Sequence, residues 1–237
     1  MGKPFCGGGF QTGMTISRRQ LQVGLILLLS ALTYGLWKGR AASLVNLPPT
    51  ATGPWIAFGD SLTQGYGADA GADYPAQLAN RLGVPIQNLG LAGETSADGL
   101  GRIEEVAAQH PRVVLLCFGG NDVLRGLSSE QMFANLGTAI DRFHTDGSFV
   151  VLLGIRGASL LGDINADGFK KLAAQKKVKL VSNLLKDIFG RPHLMSDQVH
   201  PNNAGYAAIA ERLEVELRPL LPKLMTSQSD GREKAGP

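Results

Sequence analysis

Short apolar runs alternate along this chain with longer stretches in which apolar residues recur every three or four positions. Four of the short runs are bounded by glycine or polar residues, as buried strands are: WIAFG, IQNLG, VVLLCFG and FVVLLGI. A weaker strand is predicted at residues 178–182. The longer stretches predict amphipathic helices at residues 74–82, 96–109, 129–144 and 203–217. Ser96 is placed to cap the second of these helices, and Ser128 or Ser129 the third. This alternation predicts an α/β domain with a central parallel sheet covered by helices on both faces.

The N-terminal part of the chain carries a different pattern. An apolar run at residues 23–37 follows Arg18 and Arg19, which predicts a signal peptide or a membrane anchor within a leader of residues 1–44. A buried core helix is the alternative, but the flanking charges and the lack of a polar face disfavour it. Because basic residues stay on the cytoplasmic side, the rest of the chain is expected to be exported. It would then be periplasmic, or held on the inner membrane through residues 18–40.

The boundaries of the folded domain are predicted from proline content and polarity. Residues 45–54, VNLPPTATGP, are predicted to be a linker, because their prolines oppose regular structure. The folded domain is assigned to residues 55–221. Residues 222–237 are polar and are predicted to form a disordered tail.

Composition narrows the classes of function. The 237 residues are 44% hydrophobic and 18% charged, which fits one globular domain with appendages. The net charge is only +3, and the basic residues are not interleaved with aromatic ones, so a nucleic-acid partner is not expected. Cys6 and Cys117 lie in a glycine-rich leader and an apolar run, and neither has a metal-ligand spacing. No dinucleotide or phosphate-loop motif is present in the sequence, so neither a cofactor nor a metal is expected.

Chemically useful residues follow the predicted strands. In parallel sheets, ligands bind at the carboxyl ends of the strands. Ser61 follows the first strand, Gly93 the second and Asn121 the third, while Asp197 and His200 precede the last helix. Each residue alone could belong to an ordinary turn or helix cap. Together they supply a hydroxyl, an amide, a flexible backbone and an Asp/His pair, which are the groups that acyl transfer through a serine requires.

Four short motifs occur in a fixed order: GDSL at 59–62, AGETS at 92–96, GGND at 119–122 and DQVH at 197–200. In this order they resemble the blocks of the SGNH hydrolases, also called the GDSL esterase/lipase family, over nearly the whole predicted domain. The stretches GGNDVLRG and NLGLAGETS resemble the small bacterial periplasmic thioesterase/lysophospholipase branch. The resemblance implies a three-layer α/β/α flavodoxin-like (SGNH) fold and a monomeric serine hydrolase that acts on small-molecule esters or thioesters.

The resemblance also implies a role for each motif residue. Ser61 would be the nucleophile, and His200 the base, since imidazole accepts and returns protons near neutral pH. Asp197 would hold the imidazole in the correct tautomer. The backbone N–H groups of Ser61 and Gly93 and the side-chain amide of Asn121 would form the oxyanion hole.

The remaining polar motif residues and histidines are expected to be structural. Asp60 and Asp122 are interpreted as hydrogen-bond acceptors in loops. His110 precedes a proline at a helix-to-strand turn, His144 ends a helix, and His193 lies in a proline-flanked segment.

The substrate stays open among aryl and alkyl esters, lysophospholipids, acyl thioesters and acetyl groups on sugars. A catalytically idle binding module with the same fold is the alternative from another class of function, and the complete set of motif residues disfavours it. An acyl-binding groove is suggested by five apolar loop residues, Val123, Leu124, Leu127, Leu160 and Leu161, although they could also be core. The stretch IRGASLLGD departs from the long-chain thioesterase pattern.

Overall fold

Five parallel strands form one sheet at the centre of the computed structural model, which describes residues 22–23, 43–155 and 165–226. The strands are β1 (Trp55–Gly59), β2 (Ile86–Gly90), β3 (Val113–Cys117), β4 (Phe149–Leu153) and β5 (Lys179–Val181). Their order across the sheet is β2-β1-β3-β4-β5, and every neighbouring pair is parallel. This is the flavodoxin-like strand order, so the predicted strands and the fold class are confirmed.

Helices cover both faces of the sheet. They are α1 (Ser61–Gln64), α2 (Tyr74–Leu82), α3 (Ser96–Gly101), α4 (Ile103–Ala107), α5 (Gly120–Leu124), α6 (Ser129–Thr145), α7 (Ala166–Lys176), α8 (Asn203–Leu217) and α9 (Leu221–Met225). Short 3₁₀ turns lie at Pro192–Leu194 and Arg218–Leu220. Alternate residues of β1 point to opposite faces: Trp55 and Ala57 pack with α2 and α8, whereas Ile56 and Phe58 pack with α4, α6 and α7. β1, β3 and β4 are buried along their whole length, as central parallel strands are.

The predicted helix over residues 96–109 was wrong in its continuity. It is divided into α3 and α4, because Arg102 leaves the helical conformation with φ −113° and ψ 16°. Its N-cap is Thr95 and not Ser96: the Thr95 hydroxyl accepts from the Asp98 N–H, and the Asp98 side chain accepts from the Thr95 N–H. Ser128 caps α6, as predicted.

The segment before β1 lacks regular structure but is packed against the domain. The N–H groups of Thr50 and Ala51 donate to the Gly147 carbonyl at 3.0 and 3.2 Å. The Asn46 side chain donates to the His144 carbonyl at 2.9 Å. These bonds fix a segment that the proline content alone predicted to be a linker.

Regular structure continues beyond the predicted domain end at residue 221. Helix α9 extends to Met225, and Leu224 within it is fully buried. Apart from residues 22, 23, 43 and 44, the predicted leader lies outside the described residues, as does the tail beyond residue 226. Within the described part of the chain, no helix has the length and apolar content needed to span a bilayer.

Candidate active site

The turn between β1 and α1 presents Ser61 at the carboxyl edge of the sheet. Asp60 is the N-cap of α1, and its Oδ1 accepts the Leu62 N–H at 3.0 Å. The chain turns tightly here: a Cβ on Gly59 would lie 2.2 Å from Thr63 Oγ1 and 2.4 Å from the Cys117 carbonyl oxygen. Glycine is therefore required before the Asp60–Ser61 pair, and Ser61 is held at the first position of the helix.

Ser61, His200 and Asp197 form a continuous hydrogen-bonded chain, although Ser61 and His200 are 139 residues apart. The distance from Ser61 Oγ to His200 Nε2 is 3.0 Å. The distance from His200 Nδ1 to Asp197 Oδ2 is 2.8 Å. Both are ordinary hydrogen-bond lengths, so the structure brings together the three residues that were predicted to act as a triad.

Asp197 is held by the backbone of its own loop. Its Oδ1 accepts the N–H groups of Val199 and His200, each at 2.7 Å. Desolvation by burial raises the pKa of Asp197, but the hydrogen bonds from the His200 N–H, the His200 imidazole and the Val199 N–H outweigh it and lower the pKa to about 2. The carboxylate is therefore ionised at neutral pH and accepts from Nδ1, which leaves Nε2 of His200 free to accept from Ser61.

The residues predicted to form an oxyanion hole line one pocket with the nucleophile. Ser61, Gly93 and Asn121 all contribute to its wall. Gly93 has φ +84°, a left-handed conformation that favours glycine. The Arg125 guanidinium donates to the Gly93 carbonyl at 2.6 Å, and the Asn121 side-chain amide donates to the Glu94 carbonyl at 2.8 Å. The loop after β2 is thus tied to helix α5.

The pocket has a volume of about 530 Å³. Apart from the predicted triad and oxyanion residues, most of its lining is apolar. The apolar side chains that line it are Leu62, Tyr66, Ala92, Val123, Leu124, Ile155, Leu185, Phe189 and Val199. Two of the five residues proposed for an acyl groove, Val123 and Leu124, are among them. Leu127 is exposed and is not part of the lining, while Leu160 and Leu161 lie outside the described residues.

Sequence analysis did not identify Tyr66 as a site residue. Its ring lies against the His200 imidazole, with 4.6 Å between ring centroids and 49° between planes. Its backbone is fixed from two sides, since the Tyr66 N–H donates to the Ser61 carbonyl and the Tyr206 hydroxyl donates to the Tyr66 carbonyl. A tyrosine five residues after the serine carries no periodic signal, so only the fold reveals this contact.

Asp60 and Asp122 both act as buried hydrogen-bond acceptors, as predicted. Burial raises the pKa of Asp60 to about 7, and the nearby charge of Asp122 adds to the effect. Asp122 accepts the Ser96 N–H at 2.9 Å and the Ser96 hydroxyl at 2.6 Å. The other histidines do not line the pocket; they lie at a turn (His110), in the last turn of α6 (His144) and in a 3₁₀ turn (His193).

A serine hydroxyl, an imidazole and a carboxylate joined in this order, at the carboxyl edge of a parallel α/β sheet, define a serine hydrolase. The sequence model of the family described as GDSL-like Lipase/Acylhydrolase matches residues 57–208, and the chain belongs to this family of SGNH ester hydrolases.

Several named proteins are similar to this chain in sequence or in structure. The chain is 30% identical over 197 residues to the esterase TesA of Pseudomonas aeruginosa, a match that covers 78% of this chain and 98% of TesA. It is also 30% identical to the thioesterase 1/protease 1/lysophospholipase L1 of Escherichia coli K12, over 75% of this chain and 89% of that protein. The crystal structure of AlinE4, an SGNH-hydrolase family esterase, superposes with a TM-score of 0.57 at 34% identity, covering 74% of this chain and 98% of AlinE4.

The raised pKa of Asp60 predicts a pH-dependent stability. Between its ordinary value of 3.8 and about 7, the folded protein keeps a proton that the unfolded chain releases. The stability contributed by this carboxyl is therefore full below the unfolded value and is lost as pH rises through about 7. Asp60→Asn keeps an oxygen for the Leu62 N–H and cannot ionise. From pH 4 to pH 8 or so, wild type should lose up to roughly 4 kcal/mol of unfolding free energy relative to Asp60→Asn.

Urea denaturation of wild type and of Asp60→Asn across this pH range measures the difference in unfolding free energy. Groups that titrate alike in both proteins do not contribute to this difference. Parallel stability curves for the two proteins would show that Asp60 titrates at its ordinary pKa.

Proposed function

We propose that this chain is an exported esterase that transfers the acyl group of a carboxylic ester or thioester first to Ser61 and then to water. The observation that carries the proposal is the hydrogen-bonded chain Ser61–His200–Asp197 at the wall of an apolar pocket. This geometry supports nucleophilic catalysis, because a serine hydroxyl becomes a good nucleophile only when a base takes its proton.

The reaction runs in two halves. Ser61 Oγ bonds to the acyl carbon while its proton moves to His200 Nε2, and the carbonyl electron pair moves onto oxygen. The tetrahedral species expels the alcohol or thiol, which takes the proton from His200, and leaves an ester on Ser61. Water then attacks this ester with His200 as base, and the acid and free Ser61 are released. Asp197, ionised at neutral pH, stabilises the imidazolium in each half.

The oxyanion is assigned to three donors on three loops: the N–H groups of Ser61 and Gly93 and the amide of Asn121. One N–H of the Asn121 amide donates to the Glu94 carbonyl, and the other has no acceptor among the described residues. This anchoring supports the assignment, because an amide fixed before the reaction pays no reorganisation when charge develops.

The apolar pocket favours an acyl chain over a sugar as the part of the substrate that it holds. Ile155 lines the pocket from the loop after β4, and Leu185 and Phe189 line it from the loop after β5. Val123 and Leu124 line it from α5, so that an acyl chain would meet apolar groups from several parts of the fold. Aryl and alkyl esters, lysophospholipids and acyl thioesters share this requirement, and relatives are named as an esterase and as a thioesterase/lysophospholipase. A carbohydrate O-acetyl ester is the alternative.

A series of p-nitrophenyl esters tests the acyl assignment. From acetate upward, kcat/KM should rise by at most about fourfold per added methylene, since burial of each contributes ~0.8 kcal/mol, until the chain leaves the pocket. Replacing Phe189 by alanine should flatten the rise without changing the acetate rate. A preference for acetate that falls with every added carbon would instead favour the acetyl esterase.

The nucleophile is tested with a fluorophosphonate probe, which forms a covalent bond to an activated serine. The purified domain should be labelled, and Ser61→Ala should abolish both labelling and ester hydrolysis, with retained thermal stability as the control for folding. Labelling of the alanine variant at the wild-type rate would remove Ser61 from the mechanism.

Removal of one oxyanion donor should change the rate and not the binding. Asn121→Ala is expected to lower kcat by about 10²–10³ with little change in KM, because the amide meets charge only as the tetrahedral state forms. Steady-state kinetics on one ester measures both constants. Full kcat in this variant would reject the oxyanion role of Asn121.

Export is proposed from the two arginines and the apolar run at residues 23–37, which lie, except for residue 23, outside the described residues. A reporter enzyme that works only outside the cytoplasm, fused after residue 60, should be active in a bacterial host. Replacing Arg18, Arg19 and the apolar run by a polar segment should silence it. An inactive fusion, beside an equally expressed cytoplasmic reporter that is active, would contradict export.

A further inference from the structure

The proposed oxyanion donors come from loops that the sheet alone does not hold together. Gly93 follows β2 and Asn121 follows β3, and β1 lies between these two strands. The β2 loop is joined to the β1 turn, since the Leu91 N–H donates to the Gly59 carbonyl at 3.0 Å and the Ala92 N–H to Gln64 Oε1 at 2.7 Å. The β1 turn is in turn bonded to the end of β3, where the Asp60 N–H donates to the Cys117 carbonyl at 3.3 Å, so these bonds join the β2 and β3 loops only indirectly.

We propose that Asp122 is the positioning residue that sets the distance between the β2 and β3 loops, an inference that rests on the oxyanion hole of the proposed function. Asp122 directly follows Asn121, and its partner Ser96 is three residues after Gly93. Oδ2 of Asp122 accepts the Ser96 N–H at 2.9 Å, and Oδ1 accepts the Ser96 hydroxyl at 2.6 Å. This pair of bonds joins the first turn of α5 to the first turn of α3.

The connection is buried and supported from behind. Only 3% of Asp122 and 4% of Ser96 is exposed. The Asn135 side-chain amide on α6 donates to Ser96 Oγ at 3.0 Å, and its own oxygen accepts from Gln131 at 2.9 Å. Each of these polar groups has a partner, and a fully paired buried network favours one arrangement over others. In the folded protein this burial keeps solvent from competing for the Asp122 bonds.

Within the described part of the chain, two other hydrogen bonds join the same loops, and neither is both buried and independent of the oxyanion donors. Arg125 donates to the Gly93 carbonyl from an exposed position, where solvent competes for the guanidinium. Asn121 donates to the Glu94 carbonyl through the very amide that is assigned to the oxyanion. The Asp122–Ser96 bonds are therefore buried and involve none of the proposed oxyanion donors. Asp122 is called the anchor below for this reason.

Loss of the anchor should affect the transition state more than the ground state. Misplacement of donors by about 1 Å can cost on the order of 10²-fold in rate. The acyl pocket shares Val123 and Leu124 with α5, but Ile155, Leu185 and Phe189 line it from outside α3 and α5. A reduced kcat with a nearly unchanged KM distinguishes this role from a general loss of stability.

Asp98 provides a matched control on the same helix. Its Oδ2 accepts the Thr95 N–H at 2.9 Å and the Thr95 hydroxyl at 2.7 Å, so that it also caps the N-terminus of α3. It is exposed and forms no hydrogen bond to α5 among the described contacts. Asp98→Ala therefore weakens α3 and removes a charge that interacts with Arg125, but it leaves the Asp122–Ser96 bonds in place.

The test measures kcat, KM and unfolding free energy for Asp122→Ala, Asp122→Asn, Ser96→Ala and Asp98→Ala on one p-nitrophenyl ester. Asp122→Ala should lower kcat by about 10- to 100-fold with KM within about twofold of wild type. Asp122→Asn should recover part of the loss, because its oxygen still accepts one Ser96 donor. Asp98→Ala should keep kcat within about twofold.

In the Asn121→Ala background, Asp122→Ala should lower kcat much less than it does in wild type, since one donor that it positions is already gone.

Ser96→Ala keeps the backbone donor and serves if Asp122→Ala does not fold; a several-fold lower kcat is expected. Full kcat in both Asp122→Asn and Ser96→Ala, or an equal loss in Asp98→Ala, would overturn the positioning role. Full kcat in Asn121→Ala would instead overturn the oxyanion assignment of the proposed function itself. A loss in Asn121→Ala with full kcat in the Asp122 and Ser96 variants overturns only the inference about Asp122.

Discussion

The common register of β1, β2 and β3 is the constraint on which the rest of the site depends. Gly59, the last residue of β1, lies opposite Gly90 on one side and Cys117 on the other, so the three strands end at one level. Their loops must leave the sheet together and converge. The approach is close: a Cβ on Gly90 would lie 2.1 Å from the Gln64 backbone nitrogen. The glycines at these strand ends permit α1 to sit directly on the end of β2, which keeps the nucleophile turn in its place.

Two carboxyl groups near the nucleophile have opposite pKa shifts, because they lie in different surroundings at this edge of the sheet. Asp197 lies on a loop whose backbone N–H groups point at it, and its pKa falls to about 2. Asp60 is enclosed between the sheet and the loops, accepts one backbone N–H through a side-chain oxygen, and has a pKa of about 7. The first is a permanent anion suited to orient an imidazole. The second caps a helix in a place where a permanent charge would be costly.

The sequence was most informative where a pattern repeats or a motif is long. The four longer strands and the helices at 74–82, 129–144 and 203–217 follow from periodicity. Ser61, Gly93 and Asn121 follow from their places after strands, and Asp197 and His200 from their motif before the last helix. Short or polar elements gave no such signal: α1 and α5 span four or five residues, and α7 buries only Phe169, Leu172 and Ala173. Outside the family motifs, contacts between distant residues could not be predicted. The Tyr66 ring on His200 and the Asp122–Ser96 bonds depend on how the loops pack, which no local pattern encodes.

The separation of Ser61 and His200 along the chain sets the order in which the parts of the site are synthesised. The nucleophile and the proposed oxyanion donors belong to β1, β2, β3 and the turns after them, whereas Asp197 and His200 come just before α8. Helix α8 packs on α2, where Arg81 pairs with Glu214 at 2.9 Å. A ribosome therefore synthesises all five strands of the sheet before it reaches Asp197 and His200. Until the last long helix docks, the serine is an ordinary alcohol, so reactivity towards esters is acquired only by a finished fold.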